Sequence, residues 1–233
     1  MNRDDTASAP RDDTGHSRSE HRNRTRIKIC GIREPADATF AADAGADAIG
    51  VVFHRPSVRF VDFDRARDIA RAVPPFVSTV GLFVDMPADD IRRVLETLPL
   101  ALLQFHGNPD FETNEFCAQF GRPYLKAFRV QPGFDLLQSY AQHRGAVGVL
   151  ADAYRPGVPG GTGETFDWDL LPTQHDVRLV LSGGLTAENV GEAIARVQPW
   201  AVDVSTGVES APGVKDREKI ARFIAAVRQV DGV

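Results

Sequence analysis

The chain has 233 residues, 42% of them hydrophobic and 25% charged, a composition that excludes global disorder and fits a soluble globular protein with a sizeable core. Its net charge of −5 provides no basic stripe for a phosphate backbone, which argues against a nucleic-acid partner and leaves small anionic ligands open. Two cysteines, Cys30 and Cys117, are too few for a disulfide framework and fit a reducing, cytoplasmic compartment, and no run of about 18 apolar residues marks a membrane span.

Residues 1–25 have almost no large apolar side chain before Ile27, so they cannot bury enough surface to offset chain entropy and are expected to form a disordered extension without a catalytic role. A secretory signal would need an apolar middle region, and Asp4, Asp5, Asp12, Asp13 and Glu20 speak against a transit peptide.

From Arg26 onward, short β-branched or apolar runs alternate with segments of helical spacing, the mark of repeated strand–helix units on a parallel sheet. The spacing predicts strand Arg26–Cys30 followed by helix Pro35–Ala44, strand Asp47–Phe53 by helix Phe63–Val73, strand Val77–Val84 by helix Ala88–Leu98, and strand Leu100–Phe105 by helix Pro109–Phe120. It continues with strand Tyr124–Phe128 and helix Pro132–His143, strand Val147–Ala151 and a short helix Asp167–Leu171, strand Val177–Leu181 and helix Ala187–Val197, and strand Ala201–Val204 and helix Lys215–Gln229. Pro35, Pro109 and Pro132 suit first helical turns, Thr186 suits an N-cap with Asn189 three residues on, and Gly45, Gly121 and Gly145 fall where C-terminal caps belong. Eight such pairs without a dinucleotide fingerprint favour a closed sheet over an open doubly wound one. The expected fold class is therefore α/β, a single-domain (β/α)8 TIM barrel over residues 26–233, somewhat smaller than the usual size of roughly 250 residues.

In such a barrel the chemistry gathers on the loops that follow the strands. The first strand ends at Cys30, beside Gly31, a position for a nucleophile, a base or simply a small buried hydrophobe. Cys117, on a helical pattern, reads as core. The loop after the second strand carries His54, Arg55 and Arg59, and an arginine there suits a two-pronged contact with a carboxylate. Gln104 and His106 stand at the end of the fourth strand. Asp152 closes the sixth, where burial would favour a protonated acid. The glycine-rich segment 157–165 fails the phosphate-loop pattern, since Val158 and Glu164 hold positions that need glycine and lysine, and reads as a flexible lid. The loops at Ser182-Gly183-Gly184-Leu185 and at Asp203-Val204-Ser205-Thr206-Gly207 are rich in small residues that leave backbone N–H groups open to a dianion, where barrels commonly bind phosphate. No histidine–carboxylate spacing of the zinc kind is present, and no metal or cofactor is expected.

Five segments carry a resemblance: Lys-Ile-Cys-Gly-Ile at Lys28–Ile32, Gln-Phe-His-Gly at Gln104–Gly107, Gly-Gly-Thr-Gly-Glu-Thr-Phe-Asp-Trp at Gly160–Trp168, Ser-Gly-Gly-Leu at Ser182–Leu185, and Asp-Val-Ser-Thr-Gly-Val-Glu at Asp203–Glu209. In this order and at these strand ends they resemble the phosphoribosylanthranilate isomerases of tryptophan biosynthesis, over the chain from about Arg26 to its end. The resemblance implies a cofactor-free barrel that performs an Amadori rearrangement of a phosphorylated aminosugar. It further implies Cys30 as general base and Asp152 as general acid, with Arg59 on the anthranilate carboxylate. Gly183, Gly184, Ser205, Thr206 and Gly207 would form the phosphate site, Asp203 would lie near the reacting amine, and Gln104 and His106 would complete the substrate site. The sequence departs from the family's usual residues at Val58, Phe60, Glu164 and Thr206, none of them a proposed proton-transfer group.

The related isomerases of histidine biosynthesis resemble a pair of aspartates as acid and base, and Cys30 at the first strand end argues against them. A sugar-phosphate sensor on a barrel scaffold is disfavoured by the presence of both Cys30 and Asp152. The partner expected is a small phosphorylated substrate, bound by a monomer or homodimer.

Overall fold

The computed structural model describes residues 24–153, 165–172 and 176–232. Eight parallel strands follow one another around a closed barrel: β1 (Arg26–Cys30), β2 (Ala48–Val52), β3 (Ser78–Phe83), β4 (Leu102–Phe105), β5 (Tyr124–Val130), β6 (Gly148–Ala153), β7 (Leu179–Leu181) and β8 (Ala201–Val204). Closure is made by β1 against β8, with Ile27 opposite Val202 and Lys28 opposite Asp203.

Strand alternation sorts the side chains into two layers. Ile27, Ile29, Ile49, Val51, Leu103 and Val202 point outward and are fully buried among residues of the surrounding helices, including Ala38, Ile91, Phe223 and Val227. Leu125, Ala127, Leu150, Val180 and Ala201 form a smaller apolar cluster within the barrel. Burial on both faces is why the strands read as nearly continuous apolar runs.

The outer ring contains α1 (Pro35–Asp43), α2 (Phe63–Ala72), α3 (Ala88–Thr97), α4 (Asn114–Ala118), α5 (Leu136–Ala141), α6 (Val190–Val197) and α7 (Arg217–Asp231). Among the described residues between β6 and β7, a 3-10 turn, Trp168–Leu170, takes the place of the expected short helix. After β8 the chain forms a small antiparallel hairpin, β9 (Glu209–Ala211) and β10 (Val214–Lys215), which packs beside the barrel mouth.

Two helices begin later than their prolines suggest. Residues 109–113 are loop, because Glu112 turns into the protein to accept from Asp85 N–H (2.9 Å), Gly107 N–H (2.7 Å) and Lys126 Nζ (2.7 Å), and α4 starts only after Thr113 caps Phe116 N–H. Likewise α5 starts after Asp135, which accepts from Gln138 N–H, rather than at Pro132. Gly45 and Gly121 take the left-handed backbone of helix ends (φ 110° and 61°), whereas Gly145 does not. Thr186 and Asn189 cap each other's turn: Thr186 Oγ1 accepts from Glu188 N–H, and Asn189 Oδ1 accepts from Thr186 N–H at 2.8 Å, one turn ahead of α6.

Residues 1–23 and 154–164, the latter including all of the expected lid 157–165 except its last residue, lie outside the described residues. Among the described residues, Arg24 pairs with Asp47, and Thr25 donates through its N–H and hydroxyl to Asp231 at 2.8 and 2.9 Å. Both fall within the stretch expected as extension. Cys117 is fully buried in α4. Among the described residues no helix is long and apolar enough to cross a membrane.

Candidate active site

One cavity of about 640 Å³ opens at the carboxyl ends of the strands, and all eleven residues that the family resemblance assigns to the site border it. Cys30 comes from β1, Gln104 and His106 from the end of β4, Asp152 from β6, Asp203 from β8, and Arg59 and the small-residue segments from the loops after β2, β7 and β8. Val52, Leu82 and Val84 give the wall beneath the Arg59 loop an apolar lining. His54 also borders the cavity, while Arg55 lies over the Phe60 ring at 5.3 Å.

The thiol sits in a charged setting. Burial pushes Cys30 above the ordinary thiol range; the ammonium of Lys28 draws it down and the carboxylate of Asp203 pushes it back up. Lys28 Nζ donates to Asp203 Oδ1 at 2.9 Å, and both side chains are almost fully buried. Burial opposes the charge of Lys28, but Asp203 and Cys30 more than compensate, and the ammonium is held well above the ordinary lysine range.

Asp152 lies inside β6, which runs two residues beyond its expected end, and its Oδ1 accepts from Ala153 N–H at 3.0 Å. The other carboxylate oxygen lies 3.1 Å from His106 Nε2. That approach is off the hydrogen-bonding line, and His106 Nε2 and Gln104 Oε1 are both buried without a hydrogen-bond partner among the described residues. The opposite ring nitrogen of His106 lies 3.3 Å from Gln104 Nε2. Unsatisfied polar atoms in a cavity wall are costly unless something that enters the cavity meets them.

Arg59 is already held by the protein. Its Nε and Nη2 donate to the two oxygens of Glu209, and Nη2 also reaches Thr206 Oγ1 at 3.0 Å. Lys215 Nζ joins the same carboxylate at 2.9 Å and donates to Ser205 O, while Ser205 Oγ donates to Cys30 O at 3.0 Å. Burial works against the Arg59 charge, but Glu209 holds it on; burial pulls Lys215 below its ordinary value even with Glu209 beside it. A single network thus ties the β2 loop, the β9–β10 hairpin and the backbone of the thiol residue together.

The glycines have a packing reason as well as an access reason. A side chain at Gly207 would meet Leu185 O at 1.9 Å, so the loops after β7 and β8 approach each other only because this residue is glycine. Gly183 has φ 87° and lies against Ala153 of β6. The two loops face the cavity side by side with no acidic side chain between Gly183 and Gly184 or between Ser205 and Gly207.

Three charged residues of this site escaped the strand-end rule: Lys28, Glu209 and Lys215. The signal for Lys28 was present, a cation at the alternate position of an apolar strand between Ile27 and Ile29, which must face the interior and needs a buried partner. Glu209 and Lys215 sit on a hairpin too short to show in the pattern. Among the described residues no group of three or more His, Cys, Asp or Glu side chains is placed to hold a metal ion.

Comparison with known proteins accords with this geometry. Residues 27–226 match the model of the N-(5'-phosphoribosyl)anthranilate (PRA) isomerase family. The N-(5'-phosphoribosyl)anthranilate isomerase of Pseudomonas paraeruginosa is 55% identical over 203 residues, which cover 87% of this chain and 95% of the relative. The crystal structure of phosphoribosyl anthranilate isomerase from Thermotoga maritima matches with a TM-score of 0.78 at 40% identity, covering 90% of this chain and 100% of that one. A phosphoribosyl anthranilate isomerase in complex with reduced 1-(o-carboxyphenylamino)-1-deoxyribulose 5-phosphate matches with a TM-score of 0.72 at 36% identity over 90% of this chain and 100% of that one. The likeness extends through every strand that feeds the cavity, from β1 to β8, and on those grounds the chain belongs to the PRA isomerase family.

Proposed function

We propose that Cys30 and Asp152 are the two proton-transfer groups with which this isomerase converts N-(5-phosphoribosyl)anthranilate to 1-(2-carboxyphenylamino)-1-deoxyribulose 5-phosphate, a step of tryptophan biosynthesis. Asp152, in its protonated form, gives its proton to the ribose ring oxygen. The bond from that oxygen to C1 breaks while the nitrogen lone pair forms the C1=N iminium. The Cys30 thiolate then takes the proton from C2, the C–H pair becomes the C1=C2 bond, and the nitrogen recovers its lone pair. The enolamine gains a proton at C1 and loses the one on its C2 hydroxyl to give the ketose.

The other roles follow from charge and shape. Arg59 faces the anthranilate carboxylate, with its fork fixed by Glu209 beforehand. The backbone N–H groups of Gly183, Gly184, Ser205, Thr206 and Gly207 receive the phosphate, Asp203 pairs with the reacting nitrogen, and Gln104 and His106 meet the sugar hydroxyls. Residues 1–25 take no part in the reaction, which belongs to residues 26–233. We assign the activity to the cytoplasm and to a monomer or homodimer without a nucleic-acid partner.

The observation that carries this reading is the opening of a buried thiol and a buried carboxylate, from β1 and β6, onto the same cavity as Arg59 and the two small-residue loops. The test is to mix the protein with N-(5-phosphoribosyl)anthranilate and follow the loss of anthranilate-type fluorescence, with the aminoimidazole substrate of the histidine-pathway isomerase in a parallel assay. Turnover of the first substrate alone is expected. No turnover of the first, or turnover of the second only, rejects the assignment.

A further inference from the structure

One cation inside the barrel has no part in the scheme above. Lys28 is on β1 two residues before Cys30, so alternation turns both side chains to the interior, while Ile27 and Ile29 point to the helices. Below it inside the barrel lies the apolar cluster of Leu125, Ala127, Leu150, Val180 and Ala201, and Lys28 is only 5% exposed. Its partner Asp203 stands directly opposite on β8 and binds it at 2.9 Å. A buried ion pair of this kind adds little to stability compared with apolar residues of the same volume, so folding alone does not account for it.

We propose that Lys28 is the positioning residue that makes Cys30 a competent base: its ammonium, fixed by Asp203, is the counter-charge of the Cys30 thiolate while the carbon proton is removed. This rests on the reading of Cys30 as the base. Four charged groups face the thiol: Lys28 on β1, Asp203 on β8, Lys215 on β10 and Arg59 in the loop after β2. Arg59 and Lys215 share the single carboxylate of Glu209, and the surplus positive charge of that trio is the one assigned to the anthranilate carboxylate of the substrate. Lys28 is offset by Asp203, the group assigned to the reacting nitrogen. When ring opening turns that nitrogen into an iminium, the new positive charge takes over the Asp203 carboxylate, and the charge of Lys28 becomes available to sulfur.

Protons balance through the cycle. The thiol proton leaves to solvent as the thiolate forms beside Lys28, and the proton from C2 then forms the new S–H bond as the iminium is neutralised. Lys28 keeps its own proton throughout, and burial at the foot of the cavity keeps water from screening it.

The experiment uses Lys28→Met, Lys28→Arg and Asp203→Asn in the full chain. Alkylation of Cys30 by iodoacetamide is followed against pH, with the Cys30 and Cys117 peptides quantified separately by mass spectrometry; fully buried Cys117 reports any unfolding. The Cys30 midpoint should move to higher pH by about one unit in Lys28→Met and to lower pH in Asp203→Asn, opposite directions that loosened packing would not produce. Turnover of Lys28→Met should fall about 100-fold with KM changed less than about threefold, and Lys28→Arg should recover part of it. Unmoved midpoints, shifts in the same direction, or wild-type turnover in Lys28→Met overturn the proposal. If Lys28→Met exposes Cys117, the Asp203→Asn arm decides: a Cys30 midpoint that stays or rises there overturns it. Failure of the base assignment is read separately, as a Cys30→Ala enzyme that retains turnover, because alkylation reports the influence of Lys28 on the thiol whether or not the thiol is the base.

Discussion

Arg59 and Glu209 grip each other through both prongs, Nε to Oε1 at 2.7 Å and Nη2 to Oε2 at 2.8 Å. The same carboxylate also accepts from Lys215 Nζ and from Gly213 N–H at 3.2 Å. Glu209→Gln would leave two cations facing each other across a neutral amide and should cost about 3–5 kcal/mol of stability. Arg59→Ala should cost less, since Lys215 and Gly213 still serve Glu209, yet it should lower kcat/KM by about 10- to 150-fold through loss of a charge-assisted contact with the carboxylate of the substrate. Urea denaturation and steady-state kinetics of the two variants check the contrast; a Glu209→Gln midpoint equal to wild type would remove the anchoring role.

Separate loss of Cys30 and Asp152, the proposed proton-transfer groups, should damage turnover without abolishing binding. Cys30→Ala and Asp152→Asn are each expected to reduce kcat by about 10²–10⁴-fold, with affinity for a product analogue and the unfolding midpoint nearly unchanged. Either variant that keeps more than about a third of wild-type turnover forfeits its assignment.

The direction of the Cys30 shift sets the pH dependence of the free enzyme. Because burial places the thiol above its ordinary range, the thiolate is the minor form at neutral pH and grows with each step upward. The rate of Cys30 alkylation by iodoacetamide in the free enzyme should therefore rise about tenfold per pH unit below the thiol pKa and level off only above the ordinary thiol range. A profile flat from pH 6 upward would mean that the thiolate is already formed, contrary to its setting.

Gly207→Ala introduces a methyl group where Leu185 O stands 1.9 Å away, so the loops after β7 and β8 must part. Both phosphate inhibition and substrate KM should worsen together by about tenfold or more, with a loss of stability of about 1–3 kcal/mol from overpacking. Isothermal titration with inorganic phosphate tests this, and an unchanged affinity would place the phosphate elsewhere.

His143 makes stability fall in mild acid. Burial, with the Lys126 ammonium nearby, pushes this imidazole from 6.5 down to about 4, so between those values the unfolded chain takes up a proton that the folded one refuses. The stabilising contribution is complete above about pH 6.5 and is lost as the pH falls toward 4, a difference of roughly 3 kcal/mol. His143→Phe, which preserves an aromatic ring against Phe128, should flatten the pH dependence of urea unfolding over that window. Identical slopes in the two proteins would exclude His143 as its source.

The barrel was legible because each strand is buried on both faces and each helix on one, a difference in period that survives in single residues. Arg26–Cys30 and Ala201–Val204 appear with the bounds read from the sequence. The starts of α4 and α5 were not legible, because proline suits a loop as well as a first turn, and what settles the matter near Pro109 is Glu112 reaching Lys126, a contact across the fold. The site followed the same division. Looking just past each strand found the groups that border the cavity, but Lys28 lies within a strand and Glu209 on a hairpin, and their importance is set by partners 175 and 150 residues away.

The seam between β1 and β8 also governs when the molecule becomes an enzyme. During synthesis the first strand emerges with Lys28 and Cys30 on one face and one open edge, and the strand that fills that edge is the last of the eight to be made. Until Asp203 arrives, Lys28 has no carboxylate opposite it and the thiol has neither the ceiling nor the charge balance of the finished cavity. α7 then fastens the seam from outside, with Asp231 receiving both donors of Thr25. A nascent barrel of six strands already carries both Cys30 and Asp152, yet the eighth strand still has to supply the neighbour that the first one needs.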